Sequence, residues 1–191
     1  MTEPAVKAVV IGASAGAIQA LTAILPALPA DYPLPVLVVV HVPPDRSNVL
    51  APFFTERCRI AVKEAEDKEP AVGGVVYFAP SDYHLLAEKD GTLALSAEEP
   101  VNYSRPSIDV LFESAADAYG PGLTGVILTG ANHDGARGLE AVMRAGGEGI
   151  VEDPVGAYAP TMPEAALSAC ASARAMALDA IASHLRGLAA A

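Results

Sequence analysis

Three residues in this chain of 191 have the types and settings that nucleophilic catalysis needs. Ser14 lies within Gly12-Ala13-Ser14-Ala15-Gly16, where small neighbours let the backbone turn sharply and expose a hydroxyl at a helix start. The free N–H groups and positive dipole end of such a helix can stabilise a developing oxyanion. His41 follows the apolar run VLVVV at 36–40 and precedes Pro43 and Pro44; its imidazole can accept a serine proton. Asp134 follows the Thr129-Gly130 turn and can hold that imidazole by its other nitrogen. Each residue has a structural alternative. A serine in a Gly/Ala-rich turn is often an N-cap, a strand-end histidine can be a satisfied residue, and an aspartate before Gly135 can cap or turn. Placement strengthens the set, because all three fall beyond carboxyl ends of expected strands, where open parallel sheets bind ligands.

Competing site readings fit less well. Gly12-Ala13-Ser14-Ala15-Gly16-Ala17 has Ser14 and Ala17 at the second and third glycine positions of a dinucleotide fingerprint, and His41 stands where an acidic ribose-binding residue belongs. An α/β-hydrolase would recruit His184 as its base. However, Ser14 follows the first strand, with no upstream strand and loop to build an oxyanion hole, and His184 shares a helical face with Ile181, Leu185 and Leu188. A metal site from His41, His84, His133 and Asp134 has no ligand spacing beyond the adjacency of His133 and Asp134.

The elements that must hold the three residues alternate regularly. Residues 7–11 (KAVVI) read as a buried strand. A helix follows the serine turn, with Ile18, Leu21, Ile24, Leu25 and Leu28 at helical spacing. Residues 36–40 are apolar on both faces, as an inner parallel strand requires. Ser47 can cap a helix that buries Val49, Leu50, Phe53 and Phe54. Residues 60–97 read as a locally antiparallel insertion, with strands at 75–79 and 92–95 and turns at Gly73-Gly74 and Asp90-Gly91; the charges at 63–69 read as a solvated loop or helix end. Ile108, Leu111, Phe112, Ala115 and Tyr119 mark a helix that Gly120 can end. A strand at 126–128, a helix at 136–145 and a strand at 149–152 follow. A Pro/Gly-rich loop at 153–163 then leads to C-terminal helices, the last capped by Asp179. The expected fold is a single α/β domain over 1–191, doubly wound, with a mostly parallel sheet and an antiparallel hairpin insertion.

Composition agrees. Hydrophobic residues make up 52% of the chain, aromatics only 5%, and Trp is absent, so the core is Val, Ile, Leu and Ala, a mix that favours alternating strands and helices. A formal charge of −11 argues against nucleic acid, which requires clustered cations, and against an anionic membrane surface. Cys58 and Cys170 lack metal-type spacing and read as buried reduced thiols. No signal-type segment or membrane-length apolar run is found, which leads us to expect a cytoplasmic protein, with a monomer as the default.

Six ordered blocks resemble the CheB-type protein-glutamate methylesterases of bacterial chemotaxis: VVIGASAGA (9–17), HVPP (41–44), YFAPSDYHLL (77–86), RPSIDVLFESAA (105–116), GVILTGANHDGARGL (125–139) and TMPEAA (161–166). The resemblance implies a parallel α/β sheet with an antiparallel hairpin, and a triad of Ser14, His41 and Asp134. It also implies hydrolysis of glutamate γ-methyl esters on methyl-accepting chemotaxis receptors or related signalling proteins, with deamidation of particular glutamines, and no metal or organic cofactor. Backbone N–H groups near Ala15 and Ala131 would hold the oxyanion, and Arg105 is a candidate contact to acidic receptor helices or else a structural salt bridge. The family commonly reads T-G-M-G-x-D-G where this chain has Thr129-Gly130-Ala131-Asn132-His133-Asp134-Gly135. Ala17 and Thr161 likewise stand where the family has glycine. The usual receiver-domain acidic cluster is absent, so control by phosphorylation within the chain is not expected. The altered turn keeps a second reading open: a receptor-binding or scaffold module that retains the fold without catalysis.

Overall fold

Alternation between faces builds the centre of the sheet. In the computed structural model, which describes residues 7–43 and 49–190, β1 (Ala8–Ala13) is buried throughout. It turns Val9, Ile11 and Ala13 into one apolar layer and Ala8 and Val10 into the other. β2 (Val36–Val40) does the same, with Val36, Val38 and Val40 on the first side and Leu37 and Val39 on the second. Burial on both faces is the signature of an inner parallel strand. β1 pairs in parallel with β2 on one side and with β7 (Leu123–Ile127) on the other.

The full sheet has seven parallel strands in the order β3-β4-β2-β1-β7-β8-β9. The remaining members are β3 (Ala61–Glu64), β4 (Val75–Phe78), β8 (Glu148–Glu152) and β9 (Arg174–Met176). The first apolar layer receives α1 (Ala17–Ile24), α2 (Leu50–Thr55) and α6 (Leu178–Gly187). The second receives α3 (Ile108–Tyr119), α4 (Ala136–Arg144) and α5 (Thr161–Ala169). Chain direction across the sheet reverses between β1 and β7, which makes their carboxyl ends a topological switch point, the usual ligand site of such sheets.

The fold matches the doubly wound, mostly parallel sheet that the sequence predicts, with differences in detail. The antiparallel hairpin is β5 (His84–Ala87) with β6 (Leu93–Ser96), closed through Asp90 and Gly91. Residues 75–78 instead join the main sheet in parallel. Val76 and Phe78 face one layer while Tyr77 faces the other, so the segment is buried on both sides as an inner strand must be. Lys63 and Glu64 lie in the edge strand β3, and Lys63 pairs with Glu69 at 2.7 Å.

Ala177, rather than Asp179, occupies the cap position of α6; Asp179 accepts from the N–H of Ala180 within the first turn. The loop expected to run to 163 ends sooner, because α5 begins at Thr161. The short edge strand β9 had no sequence signal in three residues, two of them exposed. Ile18 and Val49 are exposed rather than buried, and the proposed cap Ser47 lies outside the described residues. Cys170 is buried and Cys58 half-buried, and both are free thiols. His184 bonds Glu148 at 2.9 Å at the opposite end of β8 from the serine turn.

Candidate active site

The serine turn is fixed by its neighbours in the sheet. Ser14 donates its backbone N–H to the Thr129 carbonyl at 2.9 Å. The Thr129 hydroxyl donates to the Ala15 carbonyl at 2.8 Å and accepts from the N–H of Ala159 at 2.8 Å. Thr129 is itself held by the buried Glu152 carboxylate, which accepts its N–H at 2.8 Å and whose pKa burial pushes up. Gly16 has φ of +84° and no room for a Cβ, because the Tyr158 side chain sits 2.7 Å from where one would be. The turn thus requires glycine both for its left-handed backbone and for this close approach. Ala17 begins α1 in ordinary helical geometry, so the substitution seen in the sequence costs the turn nothing.

His41 arrives beside this turn by strand register. Ala13 pairs with Val40, and the N–H of His41 donates to the Ala13 carbonyl at 3.2 Å. Ser14 and His41 therefore lie together at the ends of adjacent strands, lining an open cavity of about 300 Å³ with Gly16, Ile18 and Gln19. The exposed Ile18 and Val49 form part of that wall. Tyr103, fully exposed, borders a second recess of about 130 Å³ that His41 also lines.

Asp134 comes from the third central strand end and is completely buried. Its Oδ2 accepts from His41 Nε2 at 2.7 Å and from the N–H of Ile108 at 2.7 Å. Its Oδ1 accepts from the Asn102 amide at 2.7 Å, the Ser107 hydroxyl at 2.9 Å and the N–H of Asp109 at 3.1 Å. Asp134 therefore serves as the N-terminal cap of α3, a helix whose cap residue Ser107 makes no side-chain cap bond of its own. Burial by itself would raise the pKa of Asp134, but the bonds from His41, Ile108 and Asn102 outweigh it and hold the carboxyl below its ordinary value.

A second buried carboxylate stands behind the first. Asp109 accepts from the N–H groups of Gly135 and Gly138 through Oδ1 and from Asn102 through Oδ2. Burial and the neighbouring Asp134 charge raise its pKa against those bonds. The Asn102 amide thus bridges both carboxylates. Two missing Cβ atoms allow the elements to meet here, since one on Gly12 would lie 2.4 Å from the Ile108 side chain and one on Gly135 2.6 Å from Ile127.

The second ring nitrogen of His41, Nδ1, also has a partner. Asn132 donates its side-chain amide to His41 Nδ1 at 3.3 Å, and its Oδ1 accepts from the N–H of Asp134 at 3.0 Å. The Asn132 backbone has no positive φ, so the position does not depend on glycine's conformational freedom. No direct hydrogen bond joins Ser14 to His41. The N–H groups of Ala15 and Ala131 make no hydrogen bond among the described residues.

The structure thus brings Ser14, His41 and Asp134 to neighbouring strand ends, with Ala15 and Ala131 in flanking turns. Arg105 behaves as a brace: it donates to Asp82 through two nitrogens, at 2.7 and 3.1 Å, and to the carbonyls of Ala97 and Glu98. No group of three or more ligand-type side chains is placed to hold a metal among the described residues. Sequence reasoning passed over Asn102 and the bonding roles of Ser107, Asp109 and Thr129. Ser107 and Asp109 fall in the RPSID block and Thr129 in the GVILTGANHDGARGL block, which the resemblance marks without assigning these bonds, while Asn102 falls in neither.

Comparison with known proteins decides the family. The CheB methylesterase family model matches residues 9–185. The chain belongs to the CheB methylesterase family. Over 97% of its length it superposes on the whole crystal structure of the Thermotoga maritima CheB methylesterase catalytic domain, with a TM-score of 0.91 and 34% identity. A protein-glutamate methylesterase/protein-glutamine glutaminase of Symbiobacterium thermophilum is 44% identical over 147 residues, which span 77% of this chain and 41% of that protein. A Leptospira interrogans relative whose name gives the same activity provisionally is 46% identical over 176 residues, 92% of this chain and 91% of its own length. Among the described residues of this CheB-family chain, no helix is long and apolar enough to cross a membrane.

Proposed function

We propose that this chain is a cytoplasmic, monomeric, single-domain serine esterase that hydrolyses glutamate γ-methyl esters on chemotaxis receptors and deamidates receptor glutamines. The observation that carries the reading is the His41–Asp134 pair at 2.7 Å, its carboxylate fully buried and its imidazole partly so, set beside a serine turn that faces an open cavity. Relatives with this fold are named for that pair of reactions.

The chemistry runs through His41 Nδ1. Asp134 is an acceptor of five converging hydrogen bonds, so His41 carries its proton on Nε2 and offers Nδ1 as the base. Ser14 Oγ attacks the ester carbonyl as its proton passes to Nδ1, giving a tetrahedral intermediate. The N–H groups of Ala15 and Ala131 take the oxyanion. The imidazolium then protonates the departing methoxide, and methanol leaves an acyl-Ser14. His41 next takes a proton from water, whose oxygen attacks the acyl carbon, and the imidazolium returns a proton to Ser14 Oγ as the acyl bond breaks and glutamate leaves. For a glutamine the leaving group is ammonia. The apolar wall of Ile18 and Val49 suits the aliphatic part of the substrate segment.

Incubated with the methylated signalling region of a chemoreceptor, the protein is expected to release methanol, with a matching loss of receptor mass at the modified glutamates. Binding of the receptor without methanol release would favour the second reading, a scaffold with the methylesterase fold. The bond from Asn132 to the base nitrogen is the observation that keeps that alternative in view.

A further inference from the structure

The hydrogen-bond circuit around His41 is closed in the resting protein. Asp134 accepts from Nε2, Asn132 donates to Nδ1, and Asn132 in turn accepts from the backbone N–H of Asp134. The Asp134 N–H fixes which way the Asn132 amide points, because only its oxygen can accept there. Its NH2 must then face Nδ1. That nitrogen, with the imidazole proton committed to Asp134, has one lone pair, and Asn132 occupies it.

We infer that Asn132 is a positioning residue that latches the general base, holding the Nδ1 lone pair until Ser14 displaces it. The inference rests on Ser14 and His41 acting as nucleophile and base. When Ser14 delivers its proton, Nδ1 becomes an N–H donor and faces the Asn132 NH2, another donor. The amide must then turn away, which gives up its bond to His41 and loosens its bond to Asp134. The latch therefore stabilises the neutral, resting imidazole and opposes its protonation. It acts on the step from bound substrate to acyl-enzyme rather than on substrate binding.

Steady-state methanol release from the methylated receptor region by the full chain and two variants tests this. Asn132→Ala removes the donor, and kcat should rise about five-fold, the factor worth one ordinary hydrogen bond, with KM unchanged. Asn132→Asp keeps an acceptor for the Asp134 N–H but sets an acceptor against Nδ1. This holds a proton on that nitrogen in the resting protein, so no lone pair is left to take the Ser14 proton, and kcat should fall at least about ten-fold. A residue that only shaped the turn would leave Asn132→Asp close to the parent. Independently of activity, 15N spectra of the His41 ring should show Nδ1 unprotonated in the parent and shifted toward a free acceptor in Asn132→Ala.

An unchanged or lower kcat in Asn132→Ala overturns the latch, as does a Nδ1 resonance that the substitution does not move. Ser14→Ala, run alongside, separates the two levels. If it retains activity, the nucleophile assignment fails and the latch fails with it. If it is inactive while Asn132→Ala is no faster than the parent, the latch alone fails.

Discussion

Ser14→Ala is expected to lower kcat for methanol release by about 10⁴- to 10⁶-fold, the range for removing a nucleophile from a coupled triad, while leaving the unfolding midpoint almost unchanged. The turn is held by backbone groups, namely the Ser14 N–H on Thr129 and the Ala15 carbonyl under the Thr129 hydroxyl. The Ser14 hydroxyl itself makes no hydrogen bond among the described residues. Deleting it therefore costs the fold within about 0.5 kcal/mol, as for substitutions away from core packing. Stopped assays combined with thermal unfolding check both halves. Residual activity above the uncatalysed rate would come from the oxyanion donors and binding alone.

Asp134→Asn is expected to damage both rate and fold. An amide can accept on only one of its two atoms, yet five donors converge on this carboxylate. Whichever way it turns, the new NH2 faces at least two of them. The cost is that of breaking a buried charged network, roughly 3–5 kcal/mol, read in denaturant unfolding. Turnover should fall on the order of 10⁴-fold, because the proton on Nε2 loses its acceptor and the ring loses its working tautomer.

The acid response carries a sign. The Asp134 carboxyl is held below its ordinary value of 3.8, so the folded state binds this proton less tightly than the unfolded chain does. Its contribution to stability is present above about pH 3.8 and is lost as pH falls through the folded value. Asp134→Asn should lack that part of the acid loss.

How far the sequence reaches is clear from particular residues. Residues 36–40 read correctly to the residue, because a run of β-branched and leucine side chains between breaks has one physical home, a strand buried on both faces. Ser14, His41 and Asp134 were legible as strand-end residues because the sheet puts every such end on one edge. Residues 75–78 were misplaced because four apolar residues beside a hairpin carry no mark of parallel or antiparallel pairing; that choice is made by β2 and β3 across the sheet. The donors around Asp134 were not legible either. Asn102 lies 32 positions away and Ile108 lies 26 away, and the contact exists only once α3 has docked against Gly12 and Gly135. Asn132 stands out in the sequence as a departure from a family pattern, but its bond to His41 spans 91 positions and forms only when β2 and the turn after β7 meet.

In the proposed mechanism Ser14 is a nucleophile activated by His41. Its most direct test is covalent labelling of the intact protein by a serine-reactive fluorophosphonate, located by peptide mass spectrometry. One label per chain is expected, on Ser14, with labelling of the His41→Ala variant slowed at least about 100-fold, as when a general base is removed. Labelling at another serine, or labelling of Ser14 at the parent rate without His41, would contradict it.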